Sequence, residues 1–248
     1  MLSKNQVKFI KSLQLKKYRK EEQCFVVEGA KGVAEVARSD FKMEMLLATA
    51  TFWKANEKLF DRVDADILMV SEKELAQVGS FQSNESALAV VRQKPNQVPT
   101  LGQDEFVLIL DDIRDPGNLG TIIRTADWFG LRKIVASEHT ADFYNPKVVN
   151  ATMGSFTRVQ FGHAHLPSLL PQWRAPVYGT FMQGDDVYAC PFGSRGAIVI
   201  GNEANGVSAG VAALVTHKIA IPGKKGAESL NAAVAAGIVL DNWYRLKK

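Results

Sequence analysis

Phe106-Val107-Leu108-Ile109-Leu110 runs directly into Asp111-Asp112-Ile113-Arg114-Asp115-Pro116-Gly117-Asn118-Leu119-Gly120. Five apolar residues with no polar position read as a strand buried on both faces, the kind found in parallel sheets. Similar runs recur at Lys133 to Ala136, Val177 to Thr180, Ala197 to Ile200 and Lys218 to Ile221, with helical stretches between most of them. Buried strands alternating with helices predict an α/β domain whose mostly parallel sheet is covered on both sides. Ligands of such sheets collect beyond the carboxyl ends of the strands, so the loops that follow the strands are where chemistry is expected.

Upstream of this domain, Lys94-Pro95-Asn96-Gln97-Val98-Pro99-Thr100-Leu101-Gly102 lacks periodicity and is rich in proline and polar residues. It reads as a linker over 95–103, dividing a first domain, 1–94, from a second, 104–248. Short strands at Phe25 to Val27, Met45 to Ala48, Asp66 to Val70 and Ala87 to Arg92 alternate with helical stretches, one reaching about Arg38. Ser71 and Glu74 have the spacing of a capping box, opening a helix that ends near Gly79. The first domain is therefore expected to be a small α/β/α unit. Its first 20 residues carry Lys4, Lys8, Lys11, Lys16, Lys17, Arg19 and Lys20 with no acid, interleaved with apolar residues at roughly helical spacing. Such a stretch is either a solvated helix face or a grip on phosphates whose strength falls with added salt. Phe9 and Tyr18 are its candidate base-stacking residues.

Composition bounds the rest. Of 248 residues, 46% are hydrophobic and 23% charged, close to the globular average, and the net charge is +4. Cys24 and Cys190 lie far apart, which argues against a disulfide-stapled fold and a structural zinc site. His163 and His165 stand at period-two spacing with no cluster of ligands around them, so no metal site is expected. The longest apolar run, Ala232 to Leu240, is short of the ~18 residues of a membrane helix, and the N-terminus lacks an apolar signal core. A soluble, cytoplasmic protein with no membrane partner is expected.

Three loops at strand ends stand out. In the first, Pro116-Gly117 sets a turn and a helix follows, with Arg124 near its start. The macrodipole disfavours a cation there, so Arg124 is either functional or paired with Asp111 or Asp112. The second is Gly201-Asn202-Glu203-Ala204-Asn205-Gly206-Val207-Ser208, where two glycines bracket an acid and two amides and Ser208 is placed to cap the next helix. The third is Pro222-Gly223-Lys224-Lys225-Gly226-Ala227-Glu228-Ser229-Leu230-Asn231, before an Ala-rich helix running toward Arg245. Neither the P-loop order nor a G-x-G-x-x-G fingerprint occurs, so nucleotide-triphosphate and dinucleotide readings have little support.

Taken in order, N-x-G-x-x-x-R-T-A (Asn118 to Ala126), I-G-N-E-x-x-G-V (Ile200 to Val207) and I-P-G…E-S-L-N-A-A-V-A-A-G-I (Ile221 to Ile238) resemble the SpoU, or TrmH-type, RNA 2′-O-methyltransferases of the SPOUT superfamily. The resemblance covers about residues 105–245. The first domain, through its order of elements and Phe25-Val26-Val27-Glu28-Gly29-Ala30, is similar to that family's ribosomal-protein-like substrate-recognition domain. The third motif departs from the family in having Lys225 and Gly226 transposed, and Ala232-Ala233 stands where Val-Ser is frequent.

The resemblance implies a C-terminal deep trefoil knot, a rare exception to the avoidance of knots, and a homodimer in which one subunit's arginine completes the other's site. It implies S-adenosyl-L-methionine as cofactor, held through Gly201, Ile221 and Leu230 with Thr180 and Phe181 lining the pocket. Arg124 becomes the central catalytic residue, with Asn118, Glu203, Ser229 and Asn231 orienting groups around it. Lys8, Lys11, Lys16, Lys17 and Arg19 become RNA contacts. The implied activity is methyl transfer to a ribose 2′-hydroxyl of a structured RNA, ribosomal RNA favoured over transfer RNA. The alternative is a non-catalytic RNA-binding protein on the same scaffold.

Overall fold

The computed structural model describes residues 1–80, 84–224 and 229–246. The chain divides into two compact units, Met1–Pro95 with Tyr144–Thr157, and Asn96–Phe143 with the chain from Arg158 onward.

In the first unit the lysine-rich start forms two helices, α1 (Lys4–Ser12) and α2 (Lys16–Glu22), where periodicity alone suggests one stretch. Strands β1 (Cys24–Glu28), β2 (Met43–Ala48), β3 (Asp66–Met69) and β4 (Ala87–Arg92) alternate with α3 (Ala30–Ala37), α4 (Ala50–Asn56) and α5 (Glu72–Val78). The sheet order is β1-β4-β2-β3, with β4 antiparallel to both neighbours and β2 parallel to β3. Pleating sends Val26, Leu47, Leu88 and Val90 to one face, where Ile10 and Leu13 from the N-terminus and Leu75 and Val78 from α5 cover them. On the opposite face Phe25 packs against Phe41, Tyr144 and Phe156 at centroid distances of 5.9, 4.6 and 5.8 Å. The expected capping box is present: Ser71 Oγ accepts the Glu74 amide and Glu74 accepts the Ser71 amide.

The second unit holds β5 (Phe106–Asp111), α6 (Pro116–Trp128), β6 (Lys133–Ala136), β7 (Gln160–His163), β8 (Val177–Asp186), β9 (Gly196–Gly201) and β10 (His217–Ala220). Helix α7 (Pro146–Ala151) lies in the segment that joins the first unit; α8 (Leu166–Leu169), α9 (Ala209–Ala212) and α10 (Ala232–Leu246) complete the helices. Six strands in the order β10-β8-β9-β5-β6-β7 form a sheet in which every pair is parallel. Val107, Ile109, Val135 and Val199 share one core with Leu166, Leu170 and Val211. The other face is covered by α6 and α10, with Trp243 of α10 edge-on to Phe106 at 5.5 Å. Among the described residues no helix is long and apolar enough to cross a membrane.

Strand β7 has no counterpart among the apolar runs of the sequence. Its four residues, Gln160-Phe161-Gly162-His163, alternate weakly and carry polar ends at the sheet edge, so nothing announces them. Strand order reverses between β5 and β9, which pair in register from Phe106↔Gly196 to Asp111↔Gly201. At such a reversal the ligands of open parallel sheets collect beyond the carboxyl ends of the strands.

Candidate active site

The first loop is organised by the start of α6. Asp115 caps the helix by accepting the Asn118 amide at 2.7 Å, and Pro116 occupies the first turn, where no amide is needed. Asn118 is thereby fixed in the first turn with its side chain toward the second loop. Its Nδ2 donates to Glu203 Oε1, and its Oδ1 accepts from Asn231 Nδ2 at 3.0 Å. Asn231 in turn caps α10, its Oδ1 accepting the amides of Ala233 and Val234 at 2.9 and 3.3 Å. Ser229 Oγ donates to the Glu203 carbonyl at 3.4 Å. Four of the five residues expected around the reaction thus form one connected cluster drawn from all three loops.

The fifth, Arg124, is exposed on α6, in line with Thr121 and Trp128, while Ile122, Ile123 and Ala126 face the core. It has no hydrogen-bond or ion-pair partner among the described residues. The alternative role as partner of Asp111 or Asp112 falls away because both acids are engaged elsewhere. Buried Asp111 accepts the Ser208 amide at 2.7 Å, and Asp112 accepts from Arg114 Nε at 2.8 Å.

The second loop is a closed turn. Asn202 and Gly206 exchange both backbone hydrogen bonds, at 3.0 and 2.9 Å, and Asn202 Oδ1 accepts the amides of Ala204 and Asn205. A Cβ on Gly201 would fall 2.5–2.6 Å from Val207 N and Gly206 O, so the turn folds over a position only glycine can fill. Asn202 Nδ2 also donates to the Asp112 carbonyl at 2.8 Å, tying this turn to the first loop. Ser208 stands at the start of α9, but its hydroxyl makes no cap bond; its amide donates to Asp111 instead. Asp111, Asp112 and Asn202 therefore set the spacing between the loops, a role that sequence reasoning does not assign them. Two acids immediately after a wholly apolar strand are the available signal.

The expected cofactor residues lie along one stretch of the carboxyl edge, on neighbouring strands. Gly201 ends β9 and Ile221 follows β10. Strand β8 pairs with β9 only as far as Gly179↔Val199, and Thr180 Oγ1 then bonds the Val199 carbonyl at 3.0 Å. Thr180 and half-buried Phe181 leave the ladder there, and β10 resumes its pairing with β8 further on, at Asp185. Leu230 is 45% exposed beside the Asn231 cluster. Phe181 packs on the core beside Leu214 and Val215, with Lys218 Nζ 5.2 Å over its ring, so its backbone and that of Thr180 are what this edge offers a ligand. Lys225 and Gly226, where the third motif departs from the family, lie outside the described residues.

The expected RNA contacts divide. Lys8, Lys11, Lys16 and Lys17 are exposed on α1 and α2. Arg19 is 2% exposed, and its Nη1 donates to the carbonyls of Leu13 and Gln14 at 2.9 and 2.8 Å, closing the end of α1. The expectation for Arg19 is corrected: its guanidinium satisfies buried carbonyls and does not reach an outside phosphate. His163 Nδ1 lies 3.1 Å from the Ser137 carbonyl and His165 Nδ1 2.7 Å from Ser168 Oγ. Among the described residues no group of three or more His, Cys, Asp or Glu could hold a metal.

An all-parallel sheet with a polar cluster drawn from three loops at its switch point defines an open-sheet α/β protein of the class that binds ligands at the strands' carboxyl ends. The SpoU rRNA methylase family model matches residues 105–241, and an MRM3-like substrate-binding domain matches residues 4–89. The chain is 33% identical over 245 residues to the 23S rRNA (guanosine(2553)-2′-O)-methyltransferase RlmP of Bacillus subtilis, covering 96% of each. An AdoMet-bound rRNA methyltransferase from Sinorhizobium meliloti superposes with a TM-score of 0.89 at 28% identity, covering 99% of this chain and 97% of that one. A TrmH-family protein from Porphyromonas gingivalis gives 0.87 at 36% identity, with 99% of both chains covered. The chain belongs to the SpoU methylase family.

Proposed function

We propose that this protein transfers a methyl group from S-adenosyl-L-methionine to a ribose 2′-hydroxyl of ribosomal RNA. The observation that carries the reading is the Asn231–Asn118–Glu203 cluster, which brings residues up to 113 positions apart to one strand edge. The family and the names of its relatives supply the chemistry. The cofactor would rest on the backbone at Gly201, Ile221 and Leu230, with Thr180 and Phe181 beside it. When bound, it supplies a methyl carbon made electrophilic by the adjoining sulfonium.

The chain's own residues then have three tasks. A 2′-hydroxyl is a weak nucleophile, so it must be held in line with the methyl carbon while losing its proton. Asn118, Glu203, Ser229 and Asn231 keep the loops at fixed spacing and present their polar groups to the ribose. A guanidinium retains its protons, so Arg124 serves as a donor: it clamps the adjacent phosphate and steadies the developing alkoxide. The proton passes to a phosphate oxygen or water.

Residues 1–94, with Tyr144–Thr157 packed among them, form the RNA-recognition part in this reading, and Lys8, Lys11, Lys16 and Lys17 meet phosphates. The second domain is 104–248 apart from that inserted segment. The catalytic unit works as a homodimer in which Arg124 faces the partner's cofactor. Support comes from the apolar side chains exposed on α6 and α10: Trp128 at 84%, Val234 at 51% and Leu246 at 54%. Membership of the SpoU family supports the trefoil knot. The cytoplasm is the compartment in this reading, supported by the bacterial 23S rRNA methyltransferase that the chain resembles over 96% of its length.

The test is methyl incorporation into ribosomal RNA from cells lacking this protein, with the 2′-O-methylated position mapped. The Arg124→Ala variant is expected to lose methyl transfer by at least about a hundredfold while its calorimetric affinity for S-adenosylmethionine is unchanged. Near-normal turnover in that variant refutes the assignment of Arg124. No incorporation by the parent protein into any RNA would favour the non-catalytic alternative.

A further inference from the structure

Arg114 lies between β5 and α6, four residues before Asn118, at the same strand edge as the cluster described above. Its side chain is 67% exposed, yet it is held at one end: Nε donates to Asp112 Oδ1 at 2.8 Å. Asp112 is itself fixed on two more sides. Its amide donates to Ser137 Oγ at 2.8 Å and its carbonyl accepts from Asn202 Nδ2 at 2.8 Å. It also adopts φ +61°, a left-handed conformation that costs a non-glycine residue free energy.

An exposed ion pair two residues apart contributes little to stability. The backbone bonds of Asp112 join the loops, and they also fix the base from which its carboxylate holds the Arg114 guanidinium. With Nε engaged on a side chain that is 67% exposed, the two Nη groups remain as donors for a ligand, and the Asp112 bond restricts the guanidinium before any ligand arrives. The pair with Asp112 pushes the Arg114 guanidinium further up from its already high value, so it is charged at every working pH. Acids are numerous nearby: Asp111, Asp112, Asp115 and Glu203 all belong to these two loops. A polyanion approaching this edge therefore needs a local cation. Arg124 is on the helix, about 12 Å along the axis from the start of α6, so it does not serve the loop itself.

We infer that Arg114, oriented by Asp112, binds a backbone phosphate of the RNA at the mouth of the site. It is a binding and positioning residue for the substrate strand, separate from the reacting atoms. The inference rests on the proposed RNA substrate, and the experiment separates the two.

Methylation kinetics and filter binding are measured for the parent, Arg114→Gln and Arg114→Lys, using ribosomal RNA from cells lacking this protein, across a series of salt concentrations. For Arg114→Gln, KM for RNA is expected to rise about tenfold, with a much smaller change in kcat. The slope of log binding constant against log salt becomes shallower by about 0.7–0.9, the value for one neutralised phosphate. Arg114→Lys restores the slope but not the full KM, because an ammonium lacks the fork that serves Asp112 and phosphate together. Calorimetric affinity for S-adenosylmethionine stays at the parent value in both variants. An unchanged KM and slope in Arg114→Gln overturns the inference, as does loss of cofactor affinity, which would make the residue part of the loop's framework. If the parent binds this RNA without methylating it, the proposed reaction fails while the salt slope still decides the role of Arg114.

Discussion

Exchanging the hydrogen-bonded groups of Asn118 and Glu203 tests whether the junction of the loops is a single coupled unit. Both residues are half-buried, so their bond lies between the surface and interior regimes. The donor side is neutral and the acceptor a carboxylate, for which about 1.5 kcal/mol is a reasonable net contribution. The second bond of Asn118, to Asn231 at 3.0 Å, is solvent-exposed and contributes about 0.5 kcal/mol. Asn118→Ala should therefore cost about 2 kcal/mol, seen as a drop of roughly 4–8 °C in the melting of the second unit. Asn118→Asp should cost more, because it sets a second carboxylate against Glu203, a repulsion of about 1–4 kcal/mol at this depth. Adding Glu203→Gln to Asn118→Asp restores a donor facing an acceptor. The double variant is then expected to melt above Asn118→Asp alone and to recover most of its cofactor affinity, though not turnover. Melting curves and calorimetry with S-adenosylmethionine give the four corners of the cycle. Additive effects, with a coupling below about 0.3 kcal/mol, would refute the claim that these two side chains hold the loops together.

Further predictions concern the first unit. Replacing Lys8, Lys11, Lys16 and Lys17 together by Gln should flatten the salt dependence of RNA binding by ~0.7–0.9 for each phosphate no longer neutralised, with the fold intact. Arg19→Ala should instead destabilise the unit by about 2–3 kcal/mol, since it strands the carbonyls of Leu13 and Gln14; an unchanged denaturation midpoint would reject this. Glu74 accepts the amides of Ser71 and Leu2, which hold its carboxyl at about 2 against an ordinary 4.5. A depressed folded value stabilises the fold above the unfolded value and loses that contribution as pH falls through the folded one. Glu74→Gln should thus melt below the parent at pH 7, with the two curves converging between about pH 4.5 and 2. A constant offset over that window would count against it.

Much of the second unit is legible without coordinates because its strands are buried on both faces. Phe106 to Leu110 and Ala197 to Ile200 need no partner to be recognised as strands, and the loops after them carry side chains with few structural uses. The Ser71–Glu74 cap is legible because it is local. What escapes depends on interactions between distant residues. Arg19 sits in a run of lysines and looks like its neighbours; only the turn between α1 and α2 makes its burial worthwhile. Strand β7 exists because the sheet has an edge to extend, and nothing in Gln160 to His163 demands it. Asp112 and Asn202 are ordinary loop residues until their 2.8 Å bond shows that they join two loops 90 positions apart.

Tyr144–Thr157 interrupts the second unit's chain to supply aromatic rings to the interior of the first. A recombinant fragment ending near residue 94 would leave Phe25 and Phe41 without Phe156 and Tyr144, and should come out of expression insoluble or poorly packed. Anyone grafting this recognition module onto another enzyme must transplant two separate gene segments. Circular permutation, or a fusion that carries both pieces, is the workable route to studying it in isolation.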